Sequence, residues 1–547
     1  MRSKPARRLS RLSGLLVALV MLAGCGGASE LVADNAEPTA SESSDSPTDP
    51  TSPPPAETDP SPTESPPDGN DGLPEGFGDG PEGAGLDRFY DQDVTWTDCE
   101  DGEGGECADI WVPLDYADPD GQAITLKAER ELAGDESNRL GSIFINPGGP
   151  GGSGIDFLDF IAFDSTVTDV YDVVGFDPRG VATSTPVDCV SDEELDAYVA
   201  SEPSPDTREE VREFQADWAE FTAGCEANSG PLLEHVSTVE VARDLDIMRA
   251  LVGDEQLTYF GASYGTFIGA TYAALFPDKV GRLVLDGAVN PSAEPREGSI
   301  NQAAGFEKAL TAYLEYCIAE GDCPLGDDVD GGRQRLMQLF VDLDNDPLPT
   351  SSGRELTEGL AFYGVIVPLY DRDNWDYETK ALQDALDGNG DTLLLLADAY
   401  TDRQSDGSYP DNSLEVQSAV NCLDRPEDES LREIQRRADE FLDQSPVFGV
   451  TAQWWPYACS NWPVEAAEPL PDYTAKGAAP ILVVGTTRDP ATPYEAAVNL
   501  AETLESGVLL TRDGDGHTAY GAGNDCIDDA IDTYLVEGTP PDDGTQC

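Results

Sequence analysis

Ten residues, Leu257-Thr258-Tyr259-Phe260-Gly261-Ala262-Ser263-Tyr264-Gly265-Thr266, restrict the fold more than any other stretch of the chain. Leu257 to Phe260 is a short apolar run of β-forming residues. Gly-x-Ser-x-Gly follows at 261–265, and Thr266 to Phe276 reads as helix, stopped at Pro277. Strand, tight turn and helix in that order are the setting of a nucleophile elbow, where a serine sits on a strained turn at the end of a strand. Glycines two residues before and two after the serine let neighbouring backbone approach the turn. An ordinary strand-to-helix turn rich in small residues has the same pattern, so the remaining chain decides between the two.

The surrounding pattern is that of an α/β protein. Ile110–Tyr116 and Ala123–Ala128 read as early antiparallel strands around the turn Asp118-Pro119-Asp120-Gly121. Gly141–Asn146 is a buried-type strand that runs into Pro147-Gly148-Gly149-Pro150-Gly151-Gly152-Ser153-Gly154. Glycines directly after a strand turn backbone N–H groups toward a ligand, either a phosphate or an oxyanion. No Gly-Lys-Ser/Thr follows, which rules out a P-loop and leaves the oxyanion reading, in keeping with the elbow downstream. Further strands are expected within 171–180 and 480–490, each ending in a polar turn, and at 282–287 and 507–511, and a helix at 239–252 leads into the elbow strand. The expected fold is therefore a mostly parallel central sheet with a largely helical cap insertion: core at 88–294, cap at 295–465, core again at 466–547. Within the cap, Ala303–Ile318, Arg333–Leu343 and Glu429–Leu442 read as helices. Trp454, Trp455, Tyr457 and Trp462 either line a pocket or fill the core where cap meets body.

A serine hydroxyl needs a base, and the base needs an acceptor that fixes its tautomer. The chain offers two histidines, His235 and His517. His517 lies just past a strand in the Gly-rich run Asp513-Gly514-Asp515-Gly516, at the edge where a triad histidine belongs. His235 precedes a helix and reads as a packing residue. Asp489 follows a buried strand 28 residues before His517. The order Ser263, Asp489, His517 is that of α/β-hydrolases. Asp286, at the end of the strand after the elbow, is the rival acid, and Asp515 sits too near His517 in the chain to reach its outer ring nitrogen. The oxyanion donors are expected to be the backbone N–H of Tyr264 and one from the Gly148-Gly149 turn.

Residues 1–24 read as an export signal. Arg2, Lys4, Arg7, Arg8 and Arg11 precede the apolar run Leu15–Leu22, which is too short to span a bilayer. It ends in Leu22-Ala23-Gly24-Cys25, which resembles a lipoprotein box with Cys25 as the lipidated residue. Residues 25–87 are acidic and rich in Ser, Thr and Pro, and read as a disordered tether. Without Cys25 the eleven cysteines leave an even number in an exported chain, and sequential pairing is the simplest arrangement: 99–107, 189–225, 317–323, 422–459 and 526–547. With two histidines and no C-x-x-C, no metal site and no cofactor are expected. The formal charge of −76, with only six lysines, excludes nucleic acid as a partner and leaves the lipid anchor as the expected membrane contact. Acids spread along the whole chain suit a high-salt habitat better than a charge-selected substrate.

Asn-Pro-Gly-Gly-Pro-Gly-Gly-Ser-Gly (146–154), Gly-Phe-Asp-Pro-Arg-Gly (175–180), Gly-Ala-Ser-Tyr-Gly (261–265), Thr-Arg-Asp-Pro-Ala-Thr-Pro (487–493) and Gly-His-Thr (516–518) resemble the actinobacterial tripeptidyl aminopeptidases, α/β-hydrolases related to the prolyl aminopeptidases. The resemblance covers roughly residues 90–547, with a TAP-like C-terminal part. It implies an extracytoplasmic serine peptidase acting on short peptides with free N-termini. It also implies a triad on Ser263, Asp489 and His517, a second oxyanion donor on Gly149, and a place near the site for Thr492. Prolyl aminopeptidases carry His-Gly-Gly-Pro-Gly where this chain has Pro147-Gly148-Gly149-Pro150-Gly151, and their amine-binding cap carboxylates have no matching motif here. A carboxylesterase on the same triad, or a binding lipoprotein that keeps the fold without catalysis, are the other readings.

Overall fold

The computed structural model describes residues 76–99, 105–427 and 429–547. The expected signal, Cys25 and most of the expected tether lie outside the described residues.

One large sheet carries β1 (Glu106–Pro113), β2 (Ala123–Glu131), β3 (Gly141–Asn146), β4 (Tyr171–Phe176), β5 (Leu257–Ala262), β6 (Val280–Asp286), β7 (Ile481–Arg488) and β8 (Gly507–Asp515). Their spatial order is β1-β2-β4-β3-β5-β6-β7-β8. β1–β2 and β2–β4 pair antiparallel, and every pair from β4 to β8 is parallel. All six residues of both β3 and β4 are buried, as expected where helices cover both faces of a parallel sheet. The period-two alternation then sorts side chains between two cores. Ile143, Ile145, Phe260, Ala262, Val284 and Val484 face one way, and Phe144, Tyr259, Leu283, Leu285 and Val483 the other. This is the α/β-hydrolase architecture.

Helices α1 (Asp192–Val199), α2 (Glu210–Ser229), α3 (Thr238–Leu251) and α4 (Gly265–Leu275) come before β6. The Ser237 side chain caps α3 by accepting the Glu240 N–H. Between β6 and β7 the chain is largely helical: α5 (Pro295–Glu320), α6 (Val329–Asn345), α7 (Glu358–Ile366), α8 (Trp375–Leu386), α9 (Asp391–Tyr400) and α10 (Ser413–Asp424). Most of these share a second hydrophobic core built around Leu310, Tyr313, Leu336, Val365 and Leu382. Two helices cross the expected boundary. Leu195 and Val199 of α1, far upstream of residue 295, pack into this cap core, whereas Val416, Ala419 and Val420 of α10 pack into the body. Finally α11 (Tyr494–Thr503) follows β7 and α12 (Asp525–Glu537) follows β8.

Three expectations need correction or completion. Residues 76–87, read as the end of the tether, belong to the fold: Phe77 is buried and pairs antiparallel with Ile124, and Thr125 N–H donates to the Gly76 carbonyl at 3.0 Å. One buried phenylalanine outweighs a polar, glycine-rich context. The helix expected over 429–442 is two, Leu431–Arg436 and Ala438–Leu442. The break falls at Arg437, whose carbonyl is taken by the Arg296 guanidinium at 3.0 Å. Trp454 and Tyr457 are core, lying 5.6 and 5.4 Å from the Phe214 ring, and Trp462 packs on Trp218 at 6.3 Å.

Disulfides join Cys99–Cys107, Cys189–Cys225, Cys317–Cys323, Cys422–Cys459 and Cys526–Cys547. Among the described residues no helix is long and apolar enough to cross a membrane. The Asp-Pro-Arg turn after β4 is a structural hub. Arg179 is fully buried and donates to both Asp244 oxygens at 2.7 Å and to the carbonyls of Pro113, Leu114 and His235. Asp177 accepts from Ser153 and Thr183 hydroxyls at 2.5 Å each, which fixes the far end of the Gly-rich loop.

Candidate active site

The site lies along the carboxyl ends of β3, β5, β6, β7 and β8. Ser263 follows β5 directly, with φ +55, and Gly265 then starts α4. A non-glycine residue in the left-handed region is strained and persists only where its surroundings fix it. Three bonds do so: Ser263 N–H donates to the Asp286 carbonyl at 2.8 Å, and Thr266 returns its N–H and hydroxyl to the Ser263 carbonyl at 2.9 and 2.6 Å. The flanking glycines have a steric cause. A Cβ on Gly265 would lie 2.7 Å from the Asn146 carbonyl oxygen, and one on Gly261 2.5 Å from the Gly265 carbonyl oxygen.

The Gly-rich loop after β3 presses against this turn. A Cβ on Gly148 would fall 2.6 Å from Ala262 O, 2.7 Å from Tyr264 N and 2.8 Å from Ser263 Cβ. Gly148 and Gly149 have φ of +101 and +110, and Gly152 N–H closes the loop onto the Gly148 carbonyl at 3.0 Å. The structure thus brings the Gly148-Gly149 turn up to the Tyr264 N–H at the start of α4, where the helix dipole adds positive potential.

His517 stands in the loop after β8 with its side chain 6% exposed. Its Nδ1 lies 2.9 Å from both Asp489 oxygens. An acceptor on Nδ1 places the proton there and leaves Nε2 free to accept one. Asp489 is held in turn by N–H groups of Ala491, Thr492 and Thr518 at 2.9, 2.8 and 3.3 Å and by the Thr492 hydroxyl at 3.1 Å. Thr492 Oγ1 also lies 3.3 Å from His517 Nδ1. Burial alone lowers the His517 pKa, but the charge of Asp489 and its hydrogen bond outweigh it and the net shift is upward.

The other candidates lie apart from this arrangement or serve it differently. His235 pairs with Glu240 at 2.8 Å. Asp515 bonds Arg372 and Arg488 at 2.9 and 2.5 Å. Asp286 does not bond His517; its Oδ2 accepts the N–H groups of Ala519 and Tyr520 at 3.0 and 2.9 Å.

Two features escaped the sequence reading. The cap reaches into the site through Tyr370, whose carbonyl accepts the His517 N–H at 2.7 Å and whose ring meets the imidazole edge-on at 5.5 Å. Behind the oxyanion turn, the Tyr264 hydroxyl bonds Thr238, which donates to Asp424 at 2.5 Å, and burial lifts Asp424 to about 6. For the second, the only signal is the polar pair at the start of α3 and the end of α10, and nothing in the sequence around Tyr370 marks the first.

Residues 445–547 match the family described as TAP-like protein. Serine protease Hip1 of Mycobacterium tuberculosis (strain ATCC 25618 / H37Rv) is 40% identical over 478 residues, covering 83% of this chain and 91% of that protein. A tripeptidyl aminopeptidase of Streptomyces lividans is 33% identical over 459 residues, covering 81% of this chain and 84% of that one. Carboxylesterase B of Mycobacterium tuberculosis (strain ATCC 25618 / H37Rv) is 37% identical over 458 residues, covering 81% and 86%. Identity at this level across nearly the whole folded part is joined here to a Gly-x-Ser-x-Gly turn and a buried histidine–aspartate pair. The chain is a serine hydrolase, and it belongs to the α/β-hydrolase family of the Hip1 serine protease and the Streptomyces tripeptidyl aminopeptidases.

Proposed function

We propose that the chain is an exported, lipid-anchored peptidase that releases di- or tripeptides from free peptide N-termini through an acyl-enzyme on Ser263. The observation that carries the catalytic part is the His517 Nδ1 held at 2.9 Å by both oxygens of a buried Asp489. His517 Nε2 takes the Ser263 proton as Oγ attacks the scissile carbonyl, and the imidazolium then protonates the departing amine. Water enters by the reverse route and frees the peptide. The N–H groups of Tyr264 and Gly149 receive the oxyanion, and the contact of Gly148 with the serine turn supports that placement. Thr492 steadies the acid through its N–H and hydroxyl.

Export is supported by the basic and apolar residues before Cys25 and by five disulfides, which persist in oxidising compartments. Peptide specificity is drawn from the relatives named serine protease and tripeptidyl aminopeptidase. The relative named Carboxylesterase B supports a second reading, ester hydrolysis by the same groups.

A fluorophosphonate probe on the full chain and on Ser263→Ala tests the nucleophile. Labelling of the 261–265 peptide in the wild type alone is expected; labelling elsewhere, or none in folded protein, refutes it. Comparing kcat/KM for tripeptide anilides with free and acetylated N-termini and for short acyl esters then tests the substrate. Loss of turnover on acetylation is expected, and turnover of esters alone would leave the esterase reading.

A further inference from the structure

We propose that Asp286 is a positioning residue that ties the nucleophile turn and the histidine turn to one point and holds a second negative charge behind His517. This rests on the roles given above to Ser263, His517 and Asp489.

Asp286 ends β6, between the strand that delivers Ser263 and the strand that delivers Asp489. Its two ends bond different parts of the site. The backbone carbonyl accepts the Ser263 N–H at 2.8 Å. The carboxylate oxygen Oδ2 accepts the N–H groups of Ala519 and Tyr520, two and three residues past His517. The next residue, Gly287, donates its N–H to the Val484 carbonyl at 3.1 Å, and a Cβ there would come 3.1 Å from His517 Cε1. The strand end therefore runs directly against the imidazole. One residue is therefore bonded to the turns that carry both side chains.

The charge asks for a separate reason. An asparagine oxygen would accept the same two N–H groups, yet the chain keeps a fully buried carboxylate whose Oδ1 accepts no hydrogen bond from any described residue. The side chain lines a cavity walled by Phe157, Phe160, Phe260 and Tyr520, surroundings that disfavour an unpaired charge. What faces the carboxylate is His517, whose positive form attracts it, and Asp489, whose charge opposes it; Arg512 bonds the carbonyls of Asp515 and Thr518 in the same loop. Burial raises Asp286 to about 6, and the two N–H groups and His517 hold it from going higher. After Asp489, Asp286 is the other charge that raises the His517 pKa. It thus favours the imidazolium formed at each proton transfer without touching it.

The test uses the full chain as wild type, Asp286→Asn and Asp286→Ala, with kcat/KM followed against pH and fluorophosphonate labelling of Ser263. The chain has two histidines, so labelled imidazole nitrogens are assigned by NMR with His235→Asn alone. Asp286→Asn is expected to fold with its N–H partners kept, to move the acid limb of kcat/KM to lower pH, and to move the His517 titration the same way. Asp286→Ala also loses the acceptor, so kcat falls on the order of 10²-fold with KM little changed. A purely structural residue would leave the acid limb and the His517 titration of Asp286→Asn unmoved, and that result overturns the proposal. Should Asp286→Asn not fold, the wild-type ring decides: its titration shows a second inflection as Asp286 protonates, and a curve without one refutes the proposal. Failure of Ser263 to label in the wild type would instead bring down the catalytic assignment and this inference with it.

Discussion

Gly148→Ala tests how tightly the Gly148-Gly149 turn and the Ser263 turn are fitted. The added methyl would meet Ala262 O at 2.6 Å, Tyr264 N at 2.7 Å and Ser263 Cβ at 2.8 Å, where ordinary contact begins at 3.4 Å, so roughly 0.6–0.8 Å must be yielded. None of the three atoms is the end of a flexible side chain, and the serine turn is pinned by Ser263 N–H to Asp286 and by Gly265 against Asn146. The displacement therefore separates the two loops that frame the reacting carbonyl. A misplacement approaching 1 Å costs about 10²-fold in turnover, or ~2.7 kcal/mol of barrier. The φ of +101 adds about 1–2 kcal/mol of backbone strain on folding. Gly477→Ala separates the two effects, because Gly477 has φ +87 and no atom within 4 Å of a built Cβ. Both variants are expected to melt a few degrees lower by calorimetry, while only Gly148→Ala loses kcat against an acyl ester, with KM nearly unchanged. A folded Gly148→Ala that keeps kcat within twofold of wild type would refute the fitted-loop argument.

Asp489→Asn keeps the shape but presents the wrong group to His517 Nδ1, so kcat should fall by about 10⁴-fold at neutral pH; a loss under tenfold in stopped-flow acylation would contradict the pairing. Asp244→Ala removes the closer of two carboxylates from the fully buried Arg179, leaving Glu240 at 3.6 Å, and should destabilise the fold by about 3 kcal/mol in urea, with an unchanged midpoint counting against the hub. Glu378 is fully buried on α8 with neither oxygen bonded to a described residue, and burial pushes its pKa well above the ordinary 4.5. The folded state then binds more protons than the unfolded, so this group's contribution is fully present at low pH and is lost as pH rises past the unfolded value. Glu378→Met should raise Tm, with the gap over wild type widening toward alkaline pH. A gap that narrows instead would show the carboxyl to be ionised and paired.

The candidate site positions were legible because each is announced locally. Ser263, Asp489 and His517 each follow the carboxyl end of a sheet strand, with glycines flanking Ser263, Asp489 lying in the run Arg488-Asp489-Pro490, and glycine and acid alternating before His517. What stayed hidden depends on contacts between distant segments. Asp286 carries the right residue type in the right place for a triad acid, and only the fold shows that its partners are N–H groups 233 and 234 residues away. The break at Arg437 is set by Arg296, 141 residues upstream, and no periodicity within 429–442 records it. Phe77 in an acidic, glycine-rich stretch is a single anchor without a repeat, so a window average passes over it.

The bond from the His517 backbone N–H to the Tyr370 carbonyl, together with Arg372 on Asp515, ties the insertion mechanically to the histidine loop. A domain that merely covered a site could loosen or be deleted and leave the chemistry running in the open. Here local melting of the cap would remove one of the bonds that fix the histidine loop while the parallel sheet remained intact. Thermal inactivation that runs ahead of the loss of sheet structure would be the signature of that coupling.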